Sequence, residues 1–266
     1  MGIFDGVLIA SDWDGTLFNG EKVPCKNIEA IKYFIENGGH FTVSSGRQYS
    51  YIEKSLEGFP INTYAIALNG AYISDVKTGE ILFEGFIDES AYAVFDKALL
   101  LSEDAAFMSY IAKGDYTFTT IPISEYRKRR NELAKRGDVY DLVLRTATPE
   151  GAVKTAAATR ELLEKEENCD YTAVRSFPCG VEILKKNLTK GVGARRVARA
   201  VGANFLVGVG DYENDIHLLK ECDIGYAVEN AMPSLKAVAD RITVDVNEGA
   251  IAKIIEDIER EMALKK

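Results

Sequence analysis

The sequence predicts an α/β protein built on a doubly wound parallel sheet, and three observations carry that prediction. Short apolar runs ending in small or polar residues recur along the chain, amphipathic stretches separate several of them, and acidic clusters follow two of the runs. Such runs read as strands buried on both faces, and their alternation with helices implies right-handed crossovers. The predicted strands are 6–11, 40–45, 63–68, 205–210 and 224–228. The first helix, 26–37, places Ile28, Ile31, Phe34 and Ile35 on one face and stops at Gly38-Gly39. A second, 188–201, carries Val192, Ala194, Val197, Ala198 and Val201 and stops at Gly202.

The middle of the chain follows another pattern. Asn69-Gly70, then 71–74 and 81–86 around Lys77-Thr78-Gly79, reads as a β-hairpin. Beyond it the spacing predicts helix 89–101, strands 105–111 and 116–120, and helix 124–135. Strand 139–146, helix 149–166 and strands 171–176 and 180–184 complete the segment. Residues 85–185 are therefore expected to fold on their own sheet, inserted into a core made of 1–84 and 186–266; about 100 residues is an ordinary domain size. With six prolines and no Gly/Ser tract, both connections should be short.

Composition narrows the function classes. The chain has 266 residues, 47% of them hydrophobic, enough for one large domain or two modest ones. Basic residues number 32 and acidic ones 41, a net charge of −9, which argues against non-specific nucleic-acid binding. No apolar run reaches the roughly 18 residues a membrane span needs, and residues 1–6 lack the basic-then-apolar pattern of a secretory signal. The four cysteines form no C-x-x-C pair, so neither a disulfide scaffold nor a structural zinc site is expected. A cytoplasmic protein is expected, a monomer or weak homo-oligomer, with no nucleic-acid or membrane partner.

The chemistry-bearing residues cluster at strand ends. Ser11-Asp12-Trp13-Asp14-Gly15-Thr16 follows the first strand, at the carboxyl edge where open parallel sheets bind ligands. Gly210-Asp211-Tyr212-Glu213-Asn214-Asp215 follows a later one. If those strands are neighbours, Asp12, Asp14, Asp211 and Asp215 converge. Two carboxylates about 4 Å apart repel by roughly 4 kcal/mol at an effective dielectric of 20. Such a cluster needs a cation, and an all-oxygen donor set suits Mg²⁺ better than zinc. Ser44-Ser45-Gly46-Arg47 offers a hydroxyl and backbone N–H groups for an anion. Lys190, opening helix 188–201, sits at a positive helix end as a point charge for phosphate.

Together, Asp12-x-Asp14-Gly15-Thr16, Ser45-Gly46-Arg47, Lys190-Gly191 and Gly210-Asp211-x-x-Asn214-Asp215 resemble the haloacid-dehalogenase-like (HAD) phosphatases, in the order and spacing of the Cof-type subfamily. The likeness spans essentially the whole chain. It implies a Rossmann-like core with an inserted α/β cap, and Mg²⁺-dependent hydrolysis of a small phosphorylated metabolite, such as a sugar phosphate. It further implies Asp12 as nucleophile, Asp14 as acid and base, and Ser45, Gly46, Lys190 and Asn214 as phosphate contacts. The implied metal site uses the Asp12 side chain, the Asp14 carbonyl and Asp211, with Asp215 adjacent or acting through water. Trp13 and Ser45 depart from the family's commoner residues; Trp13 would narrow the site. A phosphomutase or phosphotransferase using the same aspartyl-phosphate, and a non-catalytic phospho-ligand sensor, are the alternatives.

Other residues have plainer expected roles. Arg47 is expected to pair with a nearby acid, Asn69 to shape the hairpin entry, and Asn230 to shape a turn. His40 and His217 read as structural, Glu182 as a weak candidate for substrate contact, and 126–130 as a solvated helix face. Tyr92, Phe95, Phe107, Tyr110, Tyr116 and Phe118 read as the core of the insert. No G-x-S-x-G, Walker A or G-x-G-x-x-G pattern occurs, which removes serine hydrolases, P-loop NTPases and dinucleotide enzymes by their usual signatures.

Overall fold

The computed structural model describes residues 2–264. In chain order the first elements are β1 (Val7–Ser11), α1 (Cys25–Glu36), β2 (His40–Val43), α2 (Tyr49–Ser55), β3 (Ala65–Ala67), β4 (Tyr72–Ser74) and β5 (Ile81–Glu84). Then come α3 (Glu89–Leu101), β6 (Ala105–Ala112), β7 (Thr119–Pro122), α4 (Ile123–Ala134), β8 (Val139–Thr146), α5 (Pro149–Glu164), β9 (Tyr171–Phe177) and β10 (Gly180–Lys185). The chain closes with α6 (Lys190–Val201), β11 (Phe205–Gly210), α7 (Ile216–Glu221), β12 (Ile224–Ala227), α8 (Pro233–Lys236), β13 (Arg241–Ile242) and α9 (Ala250–Leu264).

The main sheet is parallel throughout, in the order β13-β12-β11-β1-β2. All five residues of β1 are buried, as a central strand covered on both faces requires. Ser11 lies opposite Val209 on β11 and Val43 on β2, so the chain leaves all three strands along one edge. Helices α1 and α9 pack together, as do α6 and α7. The last helix, beyond the elements expected above, buries Ile251, Ile254, Ile255 and Ile258, a plain helical stripe.

The segment 63–68 departs from its expected place in the doubly wound sheet. Only three residues of it pair as a strand, and β3 joins the antiparallel β4 and β5. Its link to the parallel sheet is a single bridge between Ser44 and Ile66. Leu68 and Asn69 both take positive φ (50° and 51°), which no strand can continue through.

A second, antiparallel sheet runs β7-β6-β8-β10-β9. Period-two alternation splits its residues between two faces. Met108, Tyr110, Leu142, Leu144, Val181 and Ile183 pack with Tyr92, Phe95 and Leu163 of the helices into a separate hydrophobic cluster. Ser109, Val143, Arg145 and Glu182 lie on the other face, which turns toward the parallel sheet. Three expected core aromatics lie outside the insert's core. Phe107 alternates onto the open face and is 45% exposed, Tyr116 lies in a loop and is 80% exposed, and Phe118 packs toward the first sheet instead. Tyr126 also departs from the solvated helix face: it is buried and donates to Asp96 at 2.6 Å.

Candidate active site

Because β1 and β11 are neighbours in register, three of their trailing acids meet; the Asp14 carboxylate, expected to converge with them, is instead drawn aside to Arg47. One carboxylate oxygen from each of Asp12, Asp211 and Asp215 lies within 4.8 Å of the others. Lys190 enters this cluster from the first turn of α6, whose start is fixed by Thr189 accepting the Val192 N–H. Its Nζ donates to Asp12 Oδ1 and to Asp215 Oδ1, each at 2.6 Å, and the side chain is 1% exposed. The other oxygen of Asp215 accepts the backbone N–H groups of Asp211 (3.0 Å) and Tyr212 (3.1 Å), which closes the loop after β11. Thr16 donates to Asp211 Oδ1 at 3.1 Å.

Electrostatics follow from that crowding. Burial pushes Asp12 well above the ordinary carboxylate range; Lys190 pulls it back, and the Asp215 and Asp211 charges add to the rise. Burial and then the Asp215 charge push Asp211 up to about 6. For Lys190, burial alone would lower the pKa, but the two flanking carboxylates outweigh it and hold the ammonium protonated. Once all three carboxylates are ionised, they and the one ammonium leave two net negative charges, the charge a divalent ion would neutralise. Hard, all-oxygen donors suit Mg²⁺ chemistry.

An acid whose folded pKa is raised costs stability once pH exceeds its unfolded value, and the cost is complete above the folded one. The metal-free protein should therefore lose stability between about pH 4 and pH 7 through this cluster, and a bound cation should restore it. Millimolar MgCl₂ should raise the thermal midpoint clearly at pH 8 and little at pH 5, read by differential scanning fluorimetry. Equal shifts at both pH values would contradict the cluster as the binding site.

The loop after β1 faces the same space. Gly15 has φ of 79°, and a Cβ there would stand 2.5 Å from Asp211 Oδ2. Gly15→Ala should therefore displace Asp211 and weaken Mg²⁺ binding about tenfold or more, measurable by calorimetry; unchanged affinity would refute this packing role. Asn230 donates to the Gly15 carbonyl at 2.7 Å and accepts the Val246 N–H, so it pins this loop as well as shaping its own turn. Arg47 does pair with an acid, and that acid is Asp14: Nε to Oδ2 at 2.9 Å and Nη2 to Oδ1 at 3.1 Å. Ser45 Oγ accepts the Arg47 N–H at 3.1 Å, and Ser45 and Gly46 both border the cavity. Trp13 does not narrow the site. It is buried in the core, stacked on Phe18 at 5.5 Å and edge-on to Phe59 at 6.0 Å.

The second sheet supplies the opposite wall. A cavity of about 690 Å³ lies between Asp12, Asp14, Asp211 and Asn214 on one side and Phe118, Val143, Arg145, Phe177 and Glu182 on the other. Among the polar links between the two walls, two lie beside the acidic cluster. Asn69 donates to Glu182 Oε2 at 2.6 Å and accepts from Asn214 Nδ2 at 3.1 Å. Asn69 thus combines the left-handed backbone of a hairpin entry with a contact the sequence did not announce. In the second link, Arg175 of β9 donates to Glu213 Oε1 at 2.7 and 3.1 Å, and Arg160 of α5 reaches Oε2 at 3.3 Å. Glu213 stands two residues after Asp211. His40 and His217 lie outside the cavity lining, and burial lowers both pKa values.

Residues 9–255 match the family model described as haloacid dehalogenase-like hydrolase. The chain is similar to two proteins of Bacillus subtilis strain 168. Phosphatase YwpJ is 24% identical, with 94% of this chain and 99% of that protein covered. The 5-amino-6-(5-phospho-D-ribitylamino)uracil phosphatase YcsE is 25% identical, with 93% and 94% covered. Among solved structures, the HAD subclass IIB sugar phosphatase BT4131 superposes with a TM-score of 0.73 at 20% identity, covering 94% of this chain and 98% of that one. At that identity the likeness speaks for the fold.

Proposed function

We propose, from the premise that this chain belongs to the haloacid dehalogenase-like hydrolase family and is a phosphatase, that it hydrolyses small phosphate monoesters through an aspartyl-phosphate on Asp12. One observation carries this reading: carboxylates from the ends of two adjacent parallel strands surround a single point, with a buried lysine bridging two of them. A capping or turn role for Asp12 would not require that convergence.

In the proposed sequence an Asp12 carboxylate oxygen attacks phosphorus and the bond to the leaving oxygen breaks. Asp14 gives that oxygen its proton. Water then attacks the same phosphorus, Asp14 takes up the water's proton, and the bond to Asp12 breaks to release phosphate. Splitting one displacement into two lets a single carboxylic acid serve both halves. Arg47 orients Asp14 before substrate arrives; proton transfer needs that fork to open, and an incoming phosphate can draw the guanidinium away. Ser45, the Gly46 N–H, Lys190 and Asn214 hold the phosphoryl oxygens. Lys190 also fixes the plane of Asp12 by holding Oδ1.

Asp12, the Asp14 carbonyl and Asp211 would hold Mg²⁺, with Asp215 behind them through water, since both Asp215 oxygens already accept hydrogen bonds. The ion would offset repulsion between nucleophile and phosphate and neutralise charge on the phosphoryl oxygens. Residues 85–185 would act as a cap that excludes water and shapes the leaving-group side. The deciding experiment measures phosphate release from a panel of sugar and other small phosphate esters, with and without Mg²⁺. Mg²⁺-dependent release supports the proposal. An isomerised phosphosugar without release, or tight ester binding without turnover, would replace it with a mutase or a sensor.

A further inference from the structure

We propose that Arg145 selects phosphate esters whose leaving group carries a second anionic oxygen group, a carboxylate or another phosphate. This rests on the phosphatase reading and adds a substrate class to it.

Three cations stand at or beneath the cavity, and two are already engaged. Lys190 serves Asp12 and Asp215, and Arg47 forks Asp14. Arg145, on β8, is different: among the described residues it makes no salt bridge. Its Nε donates to Ser109 Oγ at 2.6 Å, and its guanidinium lies 5.0 Å over the Phe177 ring. These two contacts fix the plane of the group and, among the described residues, leave Nη1 and Nη2 with no protein acceptor. The carboxylate lining the same wall, Glu182, is held by Asn69. Glu182 stands opposite Val143 in the strand register and Arg145 opposite Gly180, so the two are diagonal neighbours on one face; Glu182 feels the Arg145 charge, but among the described residues no hydrogen bond or salt bridge joins them.

A guanidinium held by its inner nitrogen, with its outer edge free in a ligand cavity, has the shape and charge to receive a carboxylate or phosphate in two parallel bonds. Its neighbours Val143 and Phe177 are apolar, and the buried acid on the same face, Glu182, already accepts from Asn69. At about 690 Å³ the cavity suits a metabolite of sugar-phosphate size. The scissile phosphate would sit at the aspartates and the second anion at Arg145 across the gap.

The test compares kcat/KM for matched esters, glycerol 3-phosphate against 3-phosphoglycerate and fructose 6-phosphate against fructose 1,6-bisphosphate, in wild type, Arg145→Met and Arg145→Lys. Wild type should favour the doubly anionic member of each pair by about tenfold to a hundredfold, the range of a charge-assisted bond. Arg145→Met should bring that ratio close to one, mainly through KM. Arg145→Lys should retain part of it, because an ammonium keeps the charge without the fork. A wild-type ratio near one overturns the proposal. So does an Arg145→Met protein that loses both members of a pair equally, as a structural arginine would. Should Arg145→Met not fold, the wild-type ratio and Arg145→Lys decide. p-Nitrophenyl phosphate separates the two levels: release from it without the selectivity refutes Arg145 alone, whereas no release from any ester refutes the phosphatase reading as well.

Discussion

Asp12→Asn should lose phosphatase turnover by about ten-thousandfold or more, because the amide cannot form the acyl-phosphate and no neighbouring group can take its place. The fold should survive. Asp12 is 5% exposed, and burial holds its charged form at a disadvantage. Removing that charge relieves repulsion toward Asp211 and Asp215, and Lys190 keeps Asp215 as its partner. In metal-free buffer at neutral pH the thermal midpoint should therefore stay level or rise, while Mg²⁺ should stabilise the variant less than wild type. Phosphate release and thermal melts on one preparation test both halves. Wild-type turnover in a well-folded Asn variant would remove Asp12 as nucleophile; an unfolded one would show that the carboxylate is structural.

Lys190→Met should have the largest effect on stability. The substitution nearly preserves side-chain volume and leaves Asp12, Asp211 and Asp215 crowded together with no internal cation. Removing one partner of a buried ion pair costs about 3–5 kcal/mol. The pH dependence follows from the signs. The Lys190 ammonium is held protonated across the working range, so its own contribution is lost only on raising pH through its elevated folded pKa. In the variant the carboxylates alone set the slope. Urea unfolding should show a deficit small near pH 5, larger by pH 8 and partly reversed by Mg²⁺. A deficit independent of both pH and Mg²⁺ would mean that packing, not charge, is what Lys190 provides.

The parts of this site that lie at strand ends were legible because a buried strand advertises itself by composition and its last residues by a change of character. Asp12 and Asp211 are found that way, and their convergence then depends only on β1 and β11 being neighbours. The partners of Asn69 were not legible. Glu182 and Asn214 are 113 and 145 residues away, and no local pattern couples them. Arg175 and Glu213 were hidden for the same reason. Trp13 was misread because a side chain next to a reactive residue points the other way as easily as toward it. Phe107 failed through strand alternation: aromatic character says that a residue tends to be buried, while the register decides which face it occupies.

The grip of Arg160 and Arg175 on Glu213 ties two thermodynamic events together. The inserted sheet cannot swing clear of the parallel one without breaking those bonds, and Glu213 is separated from Asp211 by a single residue. Whatever free energy the clasp adds to this arrangement would thus be delivered next door to Asp211, the proposed ligand of the ion. If the insert acts as the proposed cap, then by reciprocity a cation that steadied this turn would favour closure to the same degree that closure tightened the cation. Ionic strength, by weakening the clasp, would loosen both at once.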